Sequence, residues 1–250
     1  NQNKELKLQN YSAETRRVTK DILGSDAKRG KGIKIGIMDT GLYLNQVEGT
    51  SQRTSLEQNP PKDKNGKSLL NAAAFKDLSN DEVASDGWHN KEEVSARFKD
   101  KNGNVKAPDF TYINNKIPFA IDVADQDNNV DPTGGTEDNV HGTHVASLAA
   151  ANGDEFQGIA PEAQVAIFKV FGNNTSGASD ASVSKALEYA AQRKLDVVNL
   201  SLGSDLDEFR SSTSTSATQN AIKACEAAGV IVNFAAGNAG KSTYAGDTGY

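Results

Sequence analysis

Three short islands in this chain carry side chains whose types suit one chemistry. Asp39 closes the apolar run Ile33-Lys34-Ile35-Gly36-Ile37-Met38 and is followed at once by Thr40-Gly41; His141-Gly142-Thr143-His144 and Ala235-Ala236-Gly237-Asn238 stand far downstream. A carboxylate, an imidazole and a side-chain amide can serve acyl transfer as orienter, general base and oxyanion donor, provided that a nucleophile joins them. No convincing nucleophile accompanies them in this sequence, so the supporting groups are complete and the attacking group is missing.

Such groups need a rigid frame, and the hydrophobic pattern supplies one. Residues 33–38 read as a buried strand with Asp39 at its carboxyl end, which is where an α/β sheet places its ligands. Further strands are expected at 117–123, 164–171, 197–200 and 230–234. A helix is expected to start near His141 and run through Val145, Leu148 and Ala149. Ser179 or Asp180 caps a second helix, whose Val183, Leu187, Ala190 and Ala191 share one face at helical spacing. A third spans 218–228, with Ala221, Ile222 and Cys225 inward and Gly229 as its C-cap. Strands alternating with helices predict an α/β fold, a doubly wound parallel sheet flanked by helices.

Two polar stretches interrupt this rhythm. The first, about thirty residues long, leads up to Gly30-Lys31-Gly32 and includes a candidate helix at 12–23. The second, 45–115, reads as an inserted surface region, partly folded because apolar islands such as Leu69-Leu70 and Ala72-Ala73-Ala74-Phe75 punctuate it. Trp88 and His89 lie inside it, and His89 is expected to face solvent without a function.

Composition narrows the function classes. The 250 residues carry a net charge of -6 and a pI near 5.2, which argues against binding a phosphate backbone. A mean hydropathy of -0.58 and the lack of any run near the ~20 apolar residues of a membrane span describe a polar chain with no membrane span. The single cysteine, Cys225, excludes an intrachain disulfide and sits among small helical residues as a buried apolar group rather than a nucleophile. The opening Asn1-Gln2-Asn3-Lys4-Glu5-Leu6-Lys7 has no charged-then-apolar leader, which points to a cytoplasmic or already processed chain. The first strand runs into Met38-Asp39-Thr40-Gly41 rather than Gly-x-Gly-x-x-Gly, so a nucleotide-binding domain is disfavoured.

The islands, in their order, resemble the subtilisin-like serine proteases. Asp39-Thr40-Gly41 is similar to that family's Asp motif, His141-Gly142-Thr143-His144-Val145-Ala146 to its His motif, and Ala235-Ala236-Gly237-Asn238 to the segment bearing its oxyanion-hole asparagine. Asn199-Leu200-Ser201-Leu202-Gly203 resembles the strand along which the family lays its peptide substrate, and Gly158-Ile159-Ala160-Pro161 the turn after the His helix. The resemblance implies a serine endopeptidase in which Asp39 orients His141, His141 is the general base, and Asn238 donates to the oxyanion. It implies that Ser201, Leu202 and Gly203 pair with an extended protein or peptide substrate, and that Ala235, Ala236 and Gly237 line a small, apolar-leaning pocket. His144 falls one helical turn after His141, but a two-histidine zinc site would lack the Glu of the zincin motif.

Two departures qualify the resemblance. The family's nucleophile lies in a Gly-Thr-Ser-Met-Ala motif that opens a helix after the Asn segment. Here Gly49-Thr50-Ser51 is followed by Gln52-Arg53, precedes the histidine and opens no apolar helix, so Ser51 is rejected as nucleophile. The expectation is an N-terminal part of the catalytic domain, incomplete by itself and inactive alone, whose serine belongs to the remainder of its own polypeptide; the alternative is a proteolytically inactive binding or adhesion homologue. The second departure is the long separation of Asp39 from His141, filled by the polar insertion. The run Lys116-Ile117-Pro118-Phe119-Ala120-Ile121-Asp122-Val123-Ala124-Asp125 is similar to the large cell-envelope subtilases of Gram-positive bacteria, the lactocepin and C5a-peptidase type. In those a protease-associated domain commonly separates the Asn and Ser segments, and the parent protein is expected to be secreted or attached to the cell wall. No cofactor is needed for the chemistry. Asp125, Asp127, Asn129 and Asp131 alternate like the start of a calcium loop, but Val130 stands where an EF-hand has Gly and Thr136 where it has Glu; a looser structural calcium site or a plain solvated loop remains.

Overall fold

A computed structural model describes residues 29–44, 47–48, 74–132, 140–154, 156–173, 175, 177–203 and 217–235. Five strands, β1 (Lys34–Asp39), β2 (Phe119–Asp122), β3 (Gln164–Lys169), β4 (Val197–Leu200) and β5 (Ile231–Phe234), form one sheet in the order β2-β3-β1-β4-β5. Every pairing is parallel. The chain leaves β1 to build one side of the sheet and then crosses to build the other. That reversal opens a crevice at the carboxyl ends of the strands beside β1.

Helices cover both faces, which is why β1 and β3 are buried along their whole length. Successive residues of β1 serve opposite cores. Met38 joins one containing Phe168, Val198 and Leu200, whereas Ile35 and Ile37 join the other with Val165 and Ile167. α2 (His141–Ala150) packs on the second face. α3 (Asp180–Arg193) and α4 (Ala217–Ala227) pack together on the first, through Val183, Ala186, Leu187 and Ala190 against Ala221 and Cys225. The Ser179 hydroxyl accepts the Ser182 amide at 3.1 Å and caps α3, as its position before the apolar stripe predicts. Cys225 is buried, its thiol pushed up to about 11 by burial, in keeping with an inert packing residue.

The polar stretch 45–115 differs from its expectation. Its described residues, 47–48 and 74–115, include a short helix, α1 (Lys91–Ala96), and bury Phe75, Trp88, Val94, Phe98 and Phe110. Phe98 stacks on Phe119 of β2 with ring centroids 5.7 Å apart. The Arg193 guanidinium lies 3.0 Å from the Phe98 centroid and donates to the carbonyls of Val94 and Arg97. Gln164, at the start of β3, exchanges two hydrogen bonds with the Trp88 backbone, at 2.9 and 2.8 Å. The segment is inserted in sequence yet supplies aromatic core to the sheet it interrupts. His89 is half-buried rather than fully exposed.

α2 starts at His141 and runs through Val145, Leu148 and Ala149, as expected. Its buried residues are Gly142, Ala146 and Ala150, one every fourth position, while Val145, Leu148 and Ala149 are half-buried. Small residues inward let the helix lie very close to the sheet. A Cβ on Gly142 would stand 2.4 Å from the Gly41 carbonyl oxygen, and Gly41 itself has φ +113°, with no room for a Cβ against the Val130 carbonyl. Gly142→Ala should therefore push α2 off the β1 turn and cost about 1–3 kcal/mol of stability, read as a fall in the urea midpoint; an unchanged midpoint would show that the contact is not tight.

Lys116, just ahead of β2, is fully buried and donates to the carbonyls of Pro161 (2.8 Å) and Ala163 (2.5 Å). Burial pushes its amine down to about 7, with Glu162 opposing. The neutral amine has two N–H bonds for these two carbonyls. In the unfolded chain the ammonium persists to about pH 10.4, so between the two values the unfolded state holds more protons and stability rises with pH. Between about pH 6.5 and 8.5 the parent's thermal midpoint should gain on that of Lys116→Met, and parallel curves would contradict this account.

Candidate active site

Asp39 ends the central strand, and its carboxylate is buried while the backbone turns away through Thr40 and Gly41. The first turn of α2 arrives directly opposite. The Thr40 hydroxyl accepts the Gly142 amide at 2.9 Å, and the Thr143 hydroxyl accepts the Tyr43 amide at 3.0 Å. These reciprocal bonds lock the two turns together and bring His141 onto Asp39. His141 Nδ1 lies 2.8 Å from Asp39 Oδ1 and 3.0 Å from Oδ2. Oδ1 also accepts the Thr40 amide at 2.7 Å, which fixes the carboxylate plane.

A carboxylate only accepts, so Nδ1 carries the proton and Nε2 keeps its lone pair. The imidazole side chain is 47% exposed against 1% for the Asp39 side chain, so Nε2 belongs to a ring that solvent or a reacting group can approach. An imidazole held in this way can serve as a base, with the buried carboxylate as its orienter. His144 lies one turn further and is exposed. Among the described residues no group of three or more His, Cys, Asp or Glu side chains is placed to hold a metal.

The expected substrate segments leave neighbouring strands at the same edge. Ser201 and Leu202 follow β4 half-buried, with Gly203 exposed. Ala235 follows β5, its amide donating to the Leu200 carbonyl at 3.1 Å. The Asn199 side chain donates to the Ser201 hydroxyl at 2.8 Å and accepts from Asn233 at 2.7 Å, an amide chain across β4 and β5 that sets the Ser201 side chain. Ala236, Gly237, Asn238 and Ser51 lie outside the described residues, as does the candidate helix at 12–23.

The alternating acids after β2 find internal uses. Asp127 accepts the Asn129 amide at 2.9 Å and Asn129 the Asp131 amide at 3.1 Å, a ladder of side-chain turns. Asp125 faces Lys169, whose ammonium is 2.7 Å from Asp125 and 2.7 Å from Asp122. This cluster is a feature that sequence reasoning missed. Its one signal is a lysine ending an otherwise apolar strand, opposite an aspartate that ends another. Burial pushes the Asp122 carboxyl above its ordinary value despite Lys169. For Asp125 burial pushes up too, but the hydrogen bond from Lys169, the Asn173 amide and the Lys169 charge outweigh it and hold the carboxyl low. The difference follows exposure, since the Asp122 side chain is sealed and that of Asp125 is 32% exposed.

Several known proteins are similar in sequence to parts of this chain. The chain is 36% identical over 140 residues to a PII-type proteinase of Lactococcus lactis subsp. cremoris, covering 52% of this chain and 7% of that protein. It is 38% identical over 117 residues to subtilisin DY of Bacillus licheniformis, covering 46% and 40%. To the major intracellular serine protease of Bacillus subtilis it is 38% identical over 122 residues, covering 45% and 35%. The chain thus matches less than half the length of each of these relatives. Among solved structures, a mutant of the protease domain of PatA aligns with a TM-score of 0.49 at 17% identity, covering 86% of this chain and 54% of that one. The epidermin leader peptide processing serine protease of Staphylococcus aureus aligns with a TM-score of 0.49 at 18% identity, covering 92% and 43%. The subtilase family model matches residues 30–249, and on that match the chain belongs to the subtilase family.

Proposed function

We propose that this chain is part of the catalytic domain of a serine endopeptidase that hydrolyses peptide bonds in protein substrates, with its nucleophilic serine supplied from outside these 250 residues. The observation that carries the reading is the Asp39–His141 pair, a buried carboxylate bonded to Nδ1 of a half-exposed imidazole. In this mechanism the serine Oγ attacks the substrate carbonyl carbon as His141 Nε2 takes its proton. Asp39 stabilises the imidazolium that forms. The negative charge moves to the carbonyl oxygen, which accepts a hydrogen bond from the Asn238 side chain, an interaction worth about 3 kcal/mol. Collapse of the intermediate breaks the C–N bond, and His141 returns the proton to the leaving amine. Water then repeats the sequence on the acyl-enzyme. No cofactor takes part.

Ser201, Leu202 and Gly203 hold the substrate backbone as an added strand, and Ala235, Ala236 and Gly237 form the wall of the pocket before the scissile bond. The partners are protein or peptide substrates and the remainder of the same polypeptide; the acidic chain has no use for nucleic acid. No helix among the described residues is long and apolar enough to cross a membrane. The 116–125 run, similar to the large Gram-positive subtilases, supports a parent protein that is secreted or attached to the cell wall. A second reading is a proteolytically inactive homologue used for binding or adhesion, in which another residue stands where the family has its serine.

A fluorophosphonate probe on the full-length protein separates the two. Labelling of one serine is expected. Asp39→Asn should lower kcat by about 10⁴ with the fold intact, His141→Ala should abolish labelling, and Ser51→Ala should change neither. An unlabelled protein with no Gly-Thr-Ser-Met-Ala motif elsewhere in its sequence would favour the binding reading, and turnover by residues 1–250 alone that Ser51→Ala abolishes would overturn both.

A further inference from the structure

The carboxyl edge of the sheet carries a second charged group that the mechanism leaves unused. Asp122 of β2, Lys169 of β3 and Asp39 of β1 are partners in register. Partners in register project to the same face, so the three form a row, acid, base, acid, on the face covered by α2. Adjacent strands lie about 4.8 Å apart, and Lys169 therefore stands between two carboxylates it could pair with. Its stem passes the Asp39-Thr40-Gly41 turn, with Cδ 3.2 Å from where a Cβ on Gly41 would be. A fully buried ammonium must have a partner.

We propose that Asp122 and Asp125 together hold Lys169 away from Asp39, which makes Lys169 and its two acids a positioning device that reserves Asp39 for His141. This rests on the Asp39–His141 pair acting as orienter and base. The groups beside Lys169 are Asp122 from β2 and Asp125 from the following loop, both ion-paired with it, and Asp39, its register partner on β1, which carries His141 of α2. Both ion pairs are 2.7 Å long. The holder is itself braced: Asp122 accepts the Asp125 amide at 2.8 Å, Asp125 accepts the Asn173 amide at 2.9 Å, and the Lys169 carbonyl accepts the amides of Val123 and Ala124. Without the two acids the next carboxylate along the row is Asp39. An ammonium there would compete with Nδ1–H and take from the imidazolium the charge that stabilises it.

The test uses the full-length protein and two readouts. One is the far-downfield proton resonance of the Asp39–His141 hydrogen bond, observed without turnover. The other is the pH dependence of peptide hydrolysis. In D122N/D125N the resonance should weaken or vanish, kcat should fall about tenfold with KM little changed, and the acid limb of the pH profile should move to lower pH by about one unit. D125N alone, at a partly exposed site that does not threaten folding, should move both readouts in the same direction by less. Adding K169M to the double variant should restore the resonance and most of kcat, because the competitor is gone. A purely structural role predicts the reverse, no rescue and a further loss. An intact resonance in D122N/D125N, or a triple variant no better than the double, would overturn the proposal. A parent that shows the resonance but hydrolyses nothing would sink the endopeptidase reading while leaving this test decisive.

Discussion

Everything at this edge of the sheet depends on how closely two pieces of backbone approach. Gly142 in the first turn of α2 meets the Gly41 carbonyl where any side chain would collide. The helix begins with Val140 in the capping position, which contributes no side-chain acceptor, so an orphan amide of the first turn must find one elsewhere. Thr40, on a different element, provides it by accepting the Gly142 amide. The helix is capped by the strand it serves, and Thr143 returns a similar bond to Tyr43. A cap supplied across the fold cannot form unless the helix is docked. Local helix stability and the position of His141 over Asp39 are therefore one event rather than two.

Three of the buried basic side chains among the described residues, Lys116, Lys169 and Arg193, hold the surrounding segments, and each is satisfied differently. Lys116 sheds charge, with burial favouring the neutral amine and two carbonyls taking its protons. Lys169 keeps charge and is matched by two carboxylates. Arg193, its guanidinium pushed down to about 9 chiefly by burial and then by Arg97, lies over an aromatic face and donates to carbonyls. A buried cation is costly when a partner is removed, so each one specifies its surroundings. Lys116 ties the approach of β2 to the turn before β3, Lys169 ties the loops leaving β2 and β3, and Arg193 ties α3 to the inserted stretch. The polar insertion is thus fastened to α3 through Arg193 and to the start of β3 through Gln164.

Strand and helix positions were legible because buried parallel strands and amphipathic helices write regular periods. The strand 197–200 falls where its apolar run lies, and Ser179 caps α3 as its place before the stripe indicates. The helix from His141 through Val145, Leu148 and Ala149 lies where it is expected, and docking this close depends on the small residues Gly142, Ala146 and Ala150 on its buried side. The core contributed by 74–115 was hidden. Phe98, Phe110 and Trp88 are spaced without period, and their partners Phe119, Phe168 and Gln164 lie far away in sequence. The acids from Asp125 to Asp131 illustrate a real degeneracy, since alternation at every second residue suits cation ligands as well as the successive side-chain turns that Asp127 and Asn129 make. Asp39 and His141 were legible as residues; their separation of 2.8 Å required the sheet.

The contrast in exposure between the two members of the pair has a consequence for how the site is assembled. Asp39 is sealed, and its carboxylate is occupied by the Thr40 amide and His141 Nδ1. His141 presents a half-open ring. The demanding part of such a site is burying a carboxylate with its bonds satisfied, because an unpaired buried charge is far more costly than a missing surface contact. That part is met wholly by β1, its turn and α2. What a nucleophile must then supply is a single approach to Nε2 from the open side, which neither disturbs the buried bonds nor requires them to form again. Under the proposed function, an orienter and a base preset in this way are independent of the segment that brings the serine, and the proposed role of Asp122 and Lys169 concerns the preset half alone.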